Sequence, residues 1–197
     1  MARRTQAQIE FDAITLEGSL LAPEWPARVA ALEAPAQAPA DYGIPKGLQL
    51  RDEISRYWRI AEALWAELST ARAHTGHDTE AATRRFVEQF LRQVLGFNDL
   101  AAASTRRVDD RVFRLAFEAL GERVPVVVAA HDEPLDEPVT RHGDPERGVR
   151  RRSAWGTLQE YLNARDDVLW GIATNGLLLR VGRDNASLTR PADTPMA

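Results

Sequence analysis

Between Val168 and Val181 two apolar runs, Val168-Leu169-Trp170-Gly171-Ile172-Ala173-Thr174 and Leu177-Leu178-Leu179-Arg180-Val181, flank the dipeptide Asn175-Gly176. Asn-Gly accepts the two positive φ angles of a tight turn, so this stretch predicts an antiparallel hairpin. Upstream, Val124-Pro125-Val126-Val127-Val128-Ala129-Ala130 is apolar throughout, the pattern of a central strand, with Pro125 near its start where a missing N–H is tolerated. Val112-Phe113-Arg114-Leu115-Ala116-Phe117 alternates as a half-buried strand does, and Gly121-Glu122-Arg123 is placed to turn it into the central one.

Helical periodicity surrounds these strands. Ile54, Tyr57, Trp58, Ala61, Leu64, Trp65 and Leu68 recur at three- and four-residue steps, which predicts a helix over about 52–73. A second is predicted from Thr79, as N-cap, to Leu95, with Gly96 as its stop. Ser153 caps a short third helix bearing Trp155, Leu158, Tyr161 and Leu162. The order α-α-β-β-α-β-β predicts an α/β (α+β) domain over residues 51–192, a mixed sheet with flanking helices and a helical pair in front. Residues 1–50 read as an extended Pro/Ala-rich arm, anchored by Leu20–Pro26, and 193–197 as a tail. The polar segment His131–Arg152, with three prolines and two glycines in 22 positions, is a long loop for a compact domain.

Composition removes several kinds of chemistry. With no cysteine, disulfides and thiolate zinc sites are excluded, and a reducing cytosol is the expected compartment. No apolar run approaches the ~18–20 residues of a membrane span, and Met1-Ala2-Arg3-Arg4 opens no signal peptide, so a cytoplasmic protein without membrane contact is expected. The net charge of −4 argues against indiscriminate coating of nucleic acid. Of 25 basic residues only Lys46 is lysine. Phosphate loops, dinucleotide fingerprints and Gly-x-Ser-x-Gly elbows are all missing from the sequence. His74 and His77 straddle Gly76 between helices, where nothing holds them as a metal pair. No metal site and no organic cofactor is expected.

Two overlapping stretches carry a family likeness: Leu158-Gln159-Glu160-Tyr161-Leu162-Asn163 with Leu169–Arg180, and Leu179-Arg180-Val181-Gly182-Arg183-Asp184-Asn185-Ala186-Ser187-Leu188-Thr189-Arg190-Pro191. They resemble the amino-terminal region of large type IIG-like restriction–modification adenine methylases, also found in phage defence. That region is similar in turn to the amino-terminal nuclease domain of type I restriction subunits, of the PD-(D/E)XK class. The resemblance spans roughly residues 86–191 and implies a nuclease-like fold ahead of a methylase. Its chemistry needs an acid on one strand and, on the next, an acid two residues before a lysine, which together hold a divalent metal and activate water. Asp110 or Glu118 could be the first acid, but alanines stand where the second is needed, leaving His131 and Asp132 at the strand end as an unorthodox alternative. No Asn/Asp-Pro-Pro-Tyr/Phe motif for a flipped adenine occurs. The chain thus reads as a detached or truncated front module without its methylase.

The resemblance leaves three readings open. The first is a non-catalytic DNA-binding or assembly module of a restriction–modification or phage-defence methylase, with DNA and the methylase or other defence subunits as partners. Its DNA-facing candidates are Arg141, Arg147, Arg150, Arg151 and Arg152 in the long loop, Gln159 and Asn163 one turn apart on the following helix, and Arg180 and Arg183 on the last strand. The second is a divergent Mg2+-dependent nuclease using Asp109 or Asp110, Glu118, His131 and Asp132. The third is a protein-interaction domain without DNA affinity, contacting its partner through the proline-rich arm and the tryptophan-bearing helix.

Overall fold

The structure, a computed structural model, describes residues 13–15, 21, 22, 24–74 and 78–184. The chain divides into two units, residues 1–56 and 57–197. The first holds α1 (Trp25–Ala30) and a 3-10 turn over Pro39–Tyr42. Where an extended arm was expected, Pro26 lies in the first turn of α1, where its missing N–H costs nothing. The Ala34–Ala40 stretch is folded back. Gln37 accepts the Ala34 N–H at 2.9 Å and donates to the Val29 carbonyl at 3.2 Å, and Asp41 accepts the Ala38 N–H at 2.8 Å.

Helix α2 (Leu50–Ala73) passes through the division at 56/57. In the second unit α3 (Thr79–Gln93) follows, and its N-cap is Asp78 rather than Thr79. The Asp78 carboxylate accepts the Ala81 N–H at 3.0 Å, so a stronger acceptor one residue earlier takes the cap. Thr83, Val87 and Leu91, four residues apart along α3, are buried toward the sheet.

Seven strands follow: β1 (Ala101–Ala102), β2 (Thr105–Val108), β3 (Arg111–Arg114), β4 (Phe117–Ala119), β5 (Val124–Val128), β6 (Trp170–Thr174) and β7 (Leu179–Arg183). The single strand expected over 112–117 is two. β3 pairs with β2 in a two-stranded ribbon, while β4 joins a five-stranded sheet of order β1-β4-β5-β6-β7. The ribbon went unread because Thr105-Arg106-Arg107-Val108 has no apolar alternation; its turn is closed by Asp109 at φ 52°. β4 and β5 are antiparallel, and β5 and β6 are parallel. A parallel pair needs a crossover, and α4 (Ala154–Ala164) supplies it, capped by Ser153, whose hydroxyl accepts the Gly156 N–H at 2.9 Å.

Both faces of the sheet are covered. On one, α3 packs Val87 and Leu91 against Phe117, Val126, Val128 and Ile172. On the other, α4 packs Leu158, Tyr161 and Leu162 against Val127, Ala173 and Phe113. Gly171 and Gly182 face one another in the β6–β7 register beneath α4. A Cβ on Gly171 would stand 2.5 Å from Leu158 Cδ1, and one on Gly182 2.9 Å from the Trp155 ring. This glycine pair lets the crossover helix lie close on the sheet. The hairpin tip is displaced by one residue from the expected Asn175-Gly176 turn. Of that pair only Gly176 has positive φ, while Asn175 closes the ladder with Leu178 and accepts the Leu177 and Leu178 N–H groups on Oδ1. Among the described residues no helix is long and apolar enough to cross a membrane.

Candidate functional site

Three places could carry function: the arginine-rich segment 131–152, the acids of the strand region, and a groove beside α2. The segment 131–152 is folded rather than loose. It starts where Thr83 Oγ1 accepts the His131 N–H at 2.9 Å, and Asn175 Nδ2 donates to the Glu133 carbonyl at 2.9 Å. Leu135 is buried in the α4 core, and bridges Val139↔Arg152 and Asp144↔Val149 close the rest into a small hairpin-like unit. Buried Asp144 accepts the Val112 N–H at 2.8 Å, which ties this unit to β3. His142, 3% exposed, has no hydrogen-bond partner for either ring nitrogen. Burial, assisted by the positive charge of Arg141, pushes its pKa down to about 4.

That folding consumes most of the arginines expected to face phosphate. Arg141 is paired with Glu80 at 2.7 Å and also with Glu133. Arg152, 6% exposed, donates to the Val112 carbonyl at 3.3 Å, pairs with Glu160 at 3.1 Å and lies over the Phe113 ring. It belongs to the interior, not to a DNA-facing surface. Arg147 lies 3.5 Å from Asp110. Arg180 forms a fork with Asp136 at 2.6 and 2.7 Å and rests on Trp155; this hydrogen bond holds the Asp136 carboxyl below its usual range. Arg183, over Trp170, is on the opposite face of β7 from Arg180, because side chains alternate along a strand. The two cannot line one surface. Arg150 and Arg151 remain exposed without an acidic partner among the described residues, and Gln159 and Asn163 share the outer side of α4. Asn185 to Pro191, and His77, lie outside the described residues.

The candidate acids are not brought together. Glu118 on β4 is 5% exposed and takes both donors of a fork from Arg106, at 2.9 Å on one oxygen and closer on the other. Its register partner is Pro125, at the start of β5, whereas His131 and Asp132 leave the far end of that strand. From Pro125 to the end of β5 at Val128 the strand already runs about 10 Å at ~3.3 Å per residue, beyond the reach of one coordination sphere. Asp110 projects from the β2–β3 turn toward Arg147. No group of three or more His, Asp or Glu that could hold a metal occurs among the described residues, and Asp110, Glu118, His131 and Asp132 do not fit a Mg2+ centre.

The sequence placed Trp58, Ala61 and Trp65 on an apolar stripe of α2. Only Leu64 and Leu68 of that helix are buried; Trp58 is 64% exposed and Trp65 43%. They form one wall of a groove of about 510 Å3, whose other lining includes Phe86 and Phe90 of α3 and Leu177, Leu178 and Leu179 at the β6–β7 tip. The rings pack among themselves, Trp65 edge-on to Phe86 at 6.3 Å and Phe86 stacked on Phe90 at 5.7 Å. The three leucines are exposed as well. Reading the stripe could not reveal this, because period alone does not say whether another element covers it. Compared with protein-family models, with curated proteins and with solved structures, the chain matches none.

Proposed function

We propose that this chain is an assembly module of a DNA restriction–modification or phage-defence methylase system, built on a nuclease-like core that does not use a metal, and that it acts by holding a partner polypeptide. One observation carries the reading: a continuous set of large apolar side chains, Trp58, Trp65, Leu177, Leu178 and Leu179, is left open around a groove. Exposed apolar patches of this kind mark association surfaces. The nuclease-like part is supported by the element order, a helix, antiparallel β1, β4 and β5, then a crossover helix to parallel β6. It is also supported by the stretches resembling restriction enzymes, whose described residues fall on α4 and the β6–β7 hairpin. The partner on this reading is the methylase or another subunit of the system.

A second reading, DNA contact, is favoured by one feature, Arg150 and Arg151, exposed and without an acidic partner among the described residues. The two readings separate by salt, since phosphate contacts weaken steeply with ionic strength and apolar docking does not. The test is to mix the chain with the adenine methylase of its own locus, and separately with a labelled duplex, across a salt series. Assembly expects a complex that survives high salt, persists in Arg150→Glu/Arg151→Glu and is lost in Trp58→Ala/Leu178→Asp. No complex with the methylase, together with duplex binding that the arginine variant abolishes, would refute assembly in favour of DNA docking.

A further inference from the structure

We infer that the groove takes an apolar segment of the partner protein that carries one arginine or lysine, the cation seated at Glu62 between the tryptophans. This rests on the assembly reading above and gives the partner's chemistry. Glu62 is the one charged residue of the lining, is exposed, and has no ion-pair partner among the described residues. Trp58, Glu62 and Trp65 stand at i, i+4 and i+7 on α2, so the carboxylate shares a helix face with two indoles. Aromatic faces and a carboxylate both attract a cation, and the Trp65 ring already has the Arg72 guanidinium 5.9 Å from its centroid.

The alternatives fit less well. An acidic segment would bring like charge against Glu62. A wholly apolar one would strip water from that carboxylate and return nothing. At about 510 Å3 the groove has room for a few side chains, within the about 300–1,000 Å3 of ordinary binding pockets. A short segment with an apolar stripe ending in a basic residue meets all of these constraints.

Three small probes with one skeleton isolate the charge: 4-phenylbutylammonium, 4-phenylbutanol and 4-phenylbutyrate. Binding to the whole chain is followed by the indole N–H resonances of its five tryptophans, assigned with single Trp→Phe variants. The Trp58 and Trp65 signals are expected to move, with the ammonium binding about 3- to 30-fold more tightly than the alcohol and the carboxylate weakest. Glu62→Gln should erase that order and leave the alcohol unchanged. If the alcohol binds as well as the ammonium, or the preference survives in Glu62→Gln, the cation proposal is overturned while an apolar docking groove stands. If no probe moves Trp58 or Trp65, both fall.

Discussion

Protonation of His142 gives the sharpest test of how the 131–152 segment is built. The imidazole is buried with neither ring nitrogen bonded, and the positive charges of Arg141, Arg114 and Arg152 act on it against the negative charge of Glu80. In the unfolded chain it binds a proton near pH 6.5, in the folded one only near 4. The unfolded state therefore binds more protons between these values. His142 costs nothing above pH 6.5, and stability is withdrawn as the pH falls toward 4 and constant below it. At 1.36 kcal/mol per pH unit, the loss amounts to about 3 kcal/mol. Urea titrations at intervals from pH 7.5 to 3.5, on wild type and His142→Leu, measure it. The carboxylates common to both proteins cancel in the difference, so the wild-type curve should fall below the variant's by that amount across the window. Parallel curves would refute the reasoning and mean that the imidazole reaches water or a partner when protonated.

Other outcomes follow from the packing. Gly171→Ala should cost about 1–3 kcal/mol in urea unfolding, because Leu158 is fully buried and cannot yield, and Gly182→Ala less, because the half-buried Trp155 ring can tilt. Arg152→Glu should cost about 3 kcal/mol or more, setting a charge in the interior beside Glu160, while Arg150→Glu and Arg151→Glu should each stay within about 0.5 kcal/mol of wild type. A triple Arg150/Arg151/Arg152→Glu variant would carry the stability cost of Arg152, so a loss of duplex binding in it would not report on the two surface arginines alone. Asp78→Ala should cost about 1 kcal/mol by thermal melting, against nearly nothing for Thr79→Ala, if Asp78 holds the cap.

What could be read from the chain and what could not divide along physical lines. Helices α2, α3 and α4, the β5 run and the β6–β7 hairpin show themselves because their signal is local: a period, a cap, a turn dipeptide. β2 has no such signal, since a ribbon of Thr-Arg-Arg-Val is made by pairing with β3 and by Arg106 reaching Glu118, 12 residues away. The arginines mislead for the same reason. A cluster at 141–152 looks like a basic surface, but Arg141 is neutralised by Glu80, 61 residues earlier, and the buried Arg152 reaches β3, 40 residues earlier. Conversely, the apolar period of α2 does not record which part of its stripe another element covers: Leu64 and Leu68 are buried, while Trp58 and Trp65 stay exposed.

β7 is the last strand of its sheet among the described residues, and Leu179 and Val181 stand exposed along it. Such an edge is a template on which another chain can hydrogen-bond, and apolar side chains make the pairing adhesive. Nature commonly blunts edges with lysine; β7 offers Arg180, already held by Asp136, and Arg183, laid on Trp170. The consequence concerns supply more than shape. On the assembly reading proposed above, the chain made in excess over a partner would be exposed to self-adhesion, and its yield in soluble form should then track the dose of that partner rather than its own expression.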